Sequence, residues 1–130
     1  MEPADPPATV DVLADYERVV EVGIGNRTDV ARDLAGRGVT VLATDVVQRD
    51  VPAGVTFVLD DVTAPDTEDY EDADAIYALR LPPELQRHVW RVARTVEADL
   101  LFTTLGGDPA LVPAEPRSVA EGTLFVASHN

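Results

Sequence analysis

The chain has 130 residues, with 24 Asp and Glu against 10 basic residues and a formal net charge of −14. Its length suits one domain, able to bury roughly two thirds of the surface its unfolded chain exposes. The lack of cysteine excludes disulfides and thiolate metal sites, and His88 and His129 lie too far apart in sequence to form a metal-ligand pattern.

Residues 1–8, MEPADPPA, carry three prolines and two acids and read as a loose N-terminal segment before a single domain over residues 9–130. They lack the positive charge and apolar core of a signal sequence, and no apolar run reaches the 18 or so residues of a membrane span. A soluble, cytoplasmic protein is expected. A short helix is predicted from Val10 to Tyr16, with Val10, Leu13 and Ala14 on one side. RVVEVG (Arg18–Gly23) is a β-branched run of strand length. Beyond it Val30, Ala31, Leu34 and Ala35 recur at helical spacing; Asn26 or Thr28 can cap that helix, and Gly36–Gly38 ends it. TVLATD (Thr40–Asp45) and TFVLD (Thr56–Asp60) are the next strands, and the acidic Thr63–Asp74 segment is a solvated loop with room for one helical turn. AIYAL (Ala75–Leu79) is the fourth strand, and a helix after Pro82 and Pro83 buries Leu85, Val89, Val92 and Val96. DLLFTTL (Asp99–Leu105) is the fifth strand, Gly106–Pro116 a connection, and TLFVA (Thr123–Ala127) the sixth strand.

Strands apolar on both faces, separated by helices or loops, require a mostly parallel sheet covered on both sides. The predicted fold is therefore α/β, a three-layer α/β/α Rossmann-like domain. Such sheets bind ligands at the carboxyl ends of their strands, at the switch beside strand one, where EVGIGNRTD (Glu21–Asp29) falls. Gly23 and Gly25 permit a turn closed to other residues and leave the backbone open to a ligand. The helix starting near Thr28 offers free N–H groups there. Asp45, twenty positions beyond Gly25, ends strand two where a ribose hydroxyl pair is held. Asp60 and Asp61 end strand three beside the expected adenine, where a carboxylate accepts from an exocyclic amine and the Val62 N–H meets a ring nitrogen. Each residue also has a plain role as turn glycine, cap or turn acid. Their order at three successive strand ends points to an adenosine-type cofactor.

Glu21 bears on which cofactor. The third glycine of G-x-G-x-x-G would fall at residue 28, which is Thr28. A carboxylate two residues ahead of Gly23 also repels the pyrophosphate of NAD, by on the order of 1 kcal/mol at close range. S-adenosylmethionine (SAM) has no phosphate and carries a cationic sulfonium and an ammonium. The alternative for Glu21 is a strand-end acid bonded to the amides of the turn.

VVEVGIGNRTDVARDLAGRGVTVLATDV (Val19–Val46) resembles the first motif, helix and second strand of class I SAM-dependent methyltransferases. FVLDDV (Phe57–Val62) resembles their third motif, with Asp61 at the adenine-contacting acid. The whole chain is similar to a family of short, uncharacterised archaeal, here haloarchaeal, proteins with a Rossmann-like fold, through the EVGIGN turn and RLPPEL (Arg80–Leu85). The resemblance implies sheet order 3-2-1-4-5 and SAM held by Glu21, Gly23, Gly25, Asn26, Asp45, Asp61 and Val62. It also implies a methyltransferase-like role with unknown acceptor.

Two departures from the methyltransferase pattern stand out. Arg27 replaces a further glycine, narrowing the loop or offering a cation to the cofactor carboxylate. About 25 residues follow strand five, with one strand predicted where these enzymes continue into a β-hairpin. A C-terminally shortened fold is expected, its acceptor pocket completed by a partner protein or a second copy. Pro82-Pro83 lies where amino-group methyltransferases carry a [DNS]-P-P-[aromatic] turn, but Leu81 and Glu84 stand in the flanking places. Target-amine recognition is not supported, and proline suits a helix start in any case. Arg80, Pro82 and Pro83 are the candidate substrate residues, and no catalytic residue is assigned. The alternatives are a non-catalytic adenosine-ligand sensor or assembly partner and, disfavoured by Thr28 and Glu21, an NAD-type domain.

All ten basic residues are arginine. Acidic excess without lysine suits a salt-rich cytoplasm, where a Debye length of about 3 Å at 1 M screens self-repulsion. Dialysis into low salt is expected to abolish the circular dichroism signal; equal folding at both salt levels would count against halophily. The charge also disfavours nucleic-acid binding. Arg87, Arg91 and Arg94 share one helix face and, with Arg80, are expected to pair with carboxylates such as those of Asp66–Asp74, each exposed pair contributing about 0–1 kcal/mol.

Overall fold

Why the strands are apolar on both sides is evident from their positions. A computed structural model describes residues 5–129. Its strands are β1 (Arg18–Val22), β2 (Thr40–Asp45), β3 (Val55–Leu59), β4 (Ala75–Leu81), β5 (Asp99–Thr104), β6 (Glu115–Val119) and β7 (Gly122–Ala127). They form one sheet in the order β3-β2-β1-β4-β5-β7-β6. β1 to β5 are parallel, and β7 runs antiparallel to both β5 and β6. Alternate side chains enter different cores. Val19, Val41, Tyr77 and Leu101 pack towards α1 (Thr9–Leu13) and α2 (Asp29–Gly36), while Val20, Ile76, Leu100 and Phe102 pack towards α3 (Pro83–Thr95). This is the expected three-layer Rossmann-like architecture.

Several elements differ from expectation for local reasons. α1 stops at Leu13, and Tyr16 beyond it donates its hydroxyl to Asp99 Oδ2 at 2.8 Å. Asp99 Oδ1 accepts from the His129 backbone at 3.0 Å and lies 2.8 Å from its ring, so this histidine ties down the chain end at the amino edge of β5. The acidic loop holds one 3-10 turn, Thr67–Asp69, followed by a buried Tyr70 that donates to Asp60 Oδ2 at 2.6 Å. In α3 the buried stripe includes the polar Gln86, which donates to the Pro109 carbonyl at 3.1 Å and accepts from the Leu111 N–H at 2.6 Å. One side chain thereby pins the connection between β5 and β6. Among the described residues no helix is long and apolar enough to cross a membrane.

The C-terminal end carries two strands where one was expected. EPRSV was hidden because four of its five residues are exposed and Pro116 breaks any strand signal; an edge strand tolerates both. β6 pairs with β7 through a two-residue turn, Ala120–Glu121, that joins Val119 to Gly122. The connections are spare, with a single 3-10 turn between β3 and β4 and, among the described residues, no regular element between β5 and β6. Of the N-terminal segment, residues 1–4 lie outside the described residues. Pro7 accepts from the Ala120 N–H at 2.9 Å, and the Thr9 amide and hydroxyl donate to Glu121 Oε1 at 2.9 and 3.0 Å. The start of α1 is thus fastened to the hairpin turn.

Candidate functional site

The glycine turn leaves β1 in a conformation only glycine adopts freely: φ is 72° at Gly23 and 56° at Gly25. A Cβ built on either meets no atom within 4 Å, so the backbone faces open space. Four donors of the turn are already occupied. Gly23 and Ile24 donate to the Thr44 carbonyl at 2.9 and 3.1 Å, Arg27 to the Ile24 carbonyl at 3.3 Å, and Gly25 to Asp45 Oδ2 at 2.8 Å. Asp45, 8% exposed, also accepts from the Val47 N–H through Oδ1 and lies 3.4 Å from Arg49 Nε. Arg49 reaches on to Asn26 Oδ1 at 3.2 Å. Asp45 therefore organises the turn, and Thr28, though the N-cap of α2, makes no side-chain capping bond.

Glu21 is not bonded to the amides of the turn among the described residues. It is 2% exposed, and its Oε1 accepts from the Tyr77 hydroxyl at 2.6 Å across the β1–β4 pairing that sets the two residues side by side. Burial pushes its carboxyl up to about 7; nearby Asp29 adds to this and the Tyr77 bond works against it. Burial and the same carboxylate raise Tyr77. Among the described residues this is the one side-chain hydrogen bond of the Glu21 carboxylate.

Glu21 lies in the wall of a cavity of about 790 Å³ at the carboxyl ends of β1, β4 and β5. Gly23, Gly25, Asn26 and Arg80 line it with Glu21. The far wall comes from Thr103, Thr104 and the hairpin turn at Glu121–Thr123. Asp45 touches the turn from behind and is not in the lining; Asp61, Val62, Pro82 and Pro83 are also outside it. Asp61 is exposed and accepts from the Thr63 amide and hydroxyl at 2.9 and 2.7 Å, bonds that hold its carboxyl below the usual range. Val62 is buried in the core beneath α3, Pro82 is the N-cap of that helix and Pro83 its first residue. The hollow thus opens on the β4–β5 side of the turn rather than over Asp45 and Asp61.

At the end of β4, Ala78 pairs with Phe102 and Leu81 with Thr104, so β4 holds one residue too many. The surplus is Arg80, at φ 58°, whose N–H donates to Thr103 Oγ1 at 2.7 Å. A non-glycine residue there costs about 1–2 kcal/mol, and asparagine is among the few that tolerate it. Arg80→Asn should therefore stabilise the protein by about 0.5–1 kcal/mol, raising the melting temperature by a few degrees in a thermal scan.

Sequence reasoning missed Tyr77, Thr103 and the hairpin turn as parts of the site, since each arrives through pairing between distant strands. The expected pairing of the α3 arginines is also not found. None of Arg80, Arg87, Arg91 and Arg94 forms a salt bridge among the described residues, and Arg94 instead stacks over Trp90 at 5.1 Å.

The whole described chain, from the segment ahead of α1 through the hairpin, corresponds to one known family. Residues 4–130 match the group described as Uncharacterised protein family (UPF0146). The chain belongs to the UPF0146 family. A UPF0146 protein of Halobacterium salinarum is 58% identical over 123 residues, covering 94% of this chain and 95% of the relative. One from Archaeoglobus fulgidus is 54% identical over 102 residues, covering 74% and 78%. Among solved structures, the antibiotic-resistance methyltransferase Kmr superposes with TM-score 0.60 at 16% identity, covering 86% of each chain. The N-terminal domain of EvdMO1 with SAH bound gives 0.56 at 17%, covering 72% of this chain and 46% of that one, so the UPF0146 chain spans about half of it. A Rhodobacter sphaeroides protein assigned to the Zn-dependent alcohol dehydrogenases gives 0.57 at 20%, covering 79% and 49%. At such identities the likeness is one of Rossmann-like fold, and it does not choose a cofactor.

Proposed function

We propose that this UPF0146 protein binds SAM in the cavity beside the Gly23–Gly25 turn and is methyltransferase-like, its acceptor lying towards β4 and β5. The observation that carries this is Glu21, a buried carboxylate in the cavity wall with one oxygen held by Tyr77. Such a group favours a cationic ligand, which offsets the desolvation of the ionised form. The ligand's ammonium fits Glu21, and Arg27, also in the lining, suits its carboxylate. Open space beside Gly23 and Gly25 leaves room for close approach. SAM, when bound, supplies a methyl group already activated on sulfur, so the protein's part is to bind and orient. The adenosine half would extend beyond this cavity towards Asp45 at the end of β2 and towards Asp61 and the Val62 N–H after β3.

The occupied turn amides weigh against a dinucleotide. Four N–H groups of the turn already have acceptors within the chain, and Asp29 opens α2 with a negative charge. A pyrophosphate needs such donors free and such a helix start uncharged. Calorimetry at high salt with SAM, S-adenosylhomocysteine and NAD tests the proposal. Preference for the first two supports it, and binding of NAD alone would overturn it. Tight SAM binding without turnover on RNA, protein and small-molecule acceptors would favour a non-catalytic sensor. The acidic surface and the likeness to a Halobacterium protein support work in a salt-rich cytoplasm.

A further inference from the structure

Arg80 occupies a position for which its backbone is poorly suited. Two non-glycine residues among those described have a left-handed backbone, Arg80 at φ 58° and Glu97 at φ 60°. Glu97 is explained by its place. It follows the C-cap of α3, where its N–H bonds Arg94 and the Ala98 N–H bonds Ala93, an ordinary helix ending. Arg80 stands inside a strand, and no helix ends there. The bulge itself has a structural purpose. Ala78 and Leu81 both pack beneath α3, although an unbroken strand would turn them to opposite faces. Glycine would serve that purpose without strain. What remains unexplained is why an arginine sits at the bulge, and strain held at such a point is a pointer to function.

The surroundings of the side chain supply an answer. Arg80 lines the cavity on its β4–β5 side, with the hydroxyl-bearing Thr103, Thr104 and Thr123 around it. It has no salt-bridge partner among the described residues, although Glu121 lines the same cavity. Glu121 is instead engaged through Oε1 by Thr9. The β4–β5 side of the cavity thus carries an exposed arginine without a carboxylate partner among the described residues. A guanidinium offers forked donors that match carboxylate and phosphate oxygens.

We propose that Arg80 is the anchor for an anionic group of the acceptor, so that this UPF0146 protein acts on small molecules bearing a carboxylate or phosphate. The proposal rests on SAM occupying the Glu21 end of the cavity. The bulge places Arg80 in the cavity lining, and the Thr103 hydroxyl fixes the bulge by accepting the Arg80 N–H.

The test is to titrate inorganic phosphate, and separately acetate, into protein saturated with S-adenosylhomocysteine at constant ionic strength, followed by calorimetry and thermal shift. Saturable binding of one anion is expected; phosphate points to a phosphorylated acceptor, acetate to a carboxylic one. Arg80→Asn, which tolerates the backbone, should weaken that binding at least ~10-fold, and Arg80→Lys less, because a point charge replaces the fork. Neither should change affinity for S-adenosylhomocysteine. No anion binding by the wild type, undiminished binding by Arg80→Asn, or an equal loss of S-adenosylhomocysteine affinity would each overturn the assignment. Failure of the wild type to bind S-adenosylhomocysteine sinks the cofactor proposal instead, and the same titrations on the free protein then decide the anion site alone.

Discussion

Glu21→Gln is expected to raise the melting temperature above neutral pH and to weaken SAM binding at least tenfold, about 1.4 kcal/mol or more. The Glu21 carboxyl sits near 7 in the folded protein against 4.5 ordinarily, chiefly because it is buried. Between those values the unfolded chain has released the proton that the folded protein still holds. Stability therefore falls as pH rises across that window. The contribution of this group is complete below the lower value and lost above the upper one. Glutamine keeps an acceptor for the Tyr77 hydroxyl and never ionises, so the variant's advantage should grow from about pH 5 to about pH 8, by on the order of 3 kcal/mol. Melting curves in high salt over that range measure it, and parallel pH profiles for the two proteins would remove Glu21 as the titrating group. The ligand dependence runs the other way. An ammonium favours the carboxylate, so wild-type affinity for SAM should decline as pH is lowered through 7, while the variant responds little. Equal affinity of both proteins at pH 8 would take Glu21 out of the binding site.

Asp45→Ala carries the second large effect. Asp45 is nearly buried and accepts from Gly25 and Val47 while facing Arg49. Alanine leaves two backbone donors without partners and a partly buried guanidinium without its counter-charge. A loss of about 2–3 kcal/mol is expected from urea titration in high salt. SAM affinity should fall at least ~10-fold as well, because the Gly25 amide loses the bond that shapes the turn. Asp45→Asn retains an acceptor and should lie between the two. If the alanine variant is destabilised but binds SAM as tightly as wild type, Asp45 shapes the turn without contributing to binding.

Much of this protein can be read from local pattern. Strands β1, β2, β4 and β5 are largely apolar runs because they lie inside the sheet between helical layers, and the glycine turn is visible because glycine alone takes φ 72° and 56° without strain. The acids and glycines at the strand ends follow from the same alternation. Where the pattern weakened, so did the prediction. β6 is exposed and contains a proline, so nothing in EPRSV marks a strand until β7 lies beside it. Gln86 looks polar and surface-bound until the two backbone groups it satisfies are brought to it by the β5–β6 connection.

The site divides along the same line. Residue types and their spacing along the chain determined by themselves that carboxylates and glycines would gather at one lip of a parallel sheet, since periodicity is a local property. Only tertiary structure decided what those groups do there. Register set Tyr77 beside Glu21 and turned a strand-end acid into a buried one; a single surplus residue in β4 put Arg80 into the cavity; and the hairpin closed its far wall. Each depends on contacts between residues dozens of positions apart, whose energies no short stretch of sequence encodes.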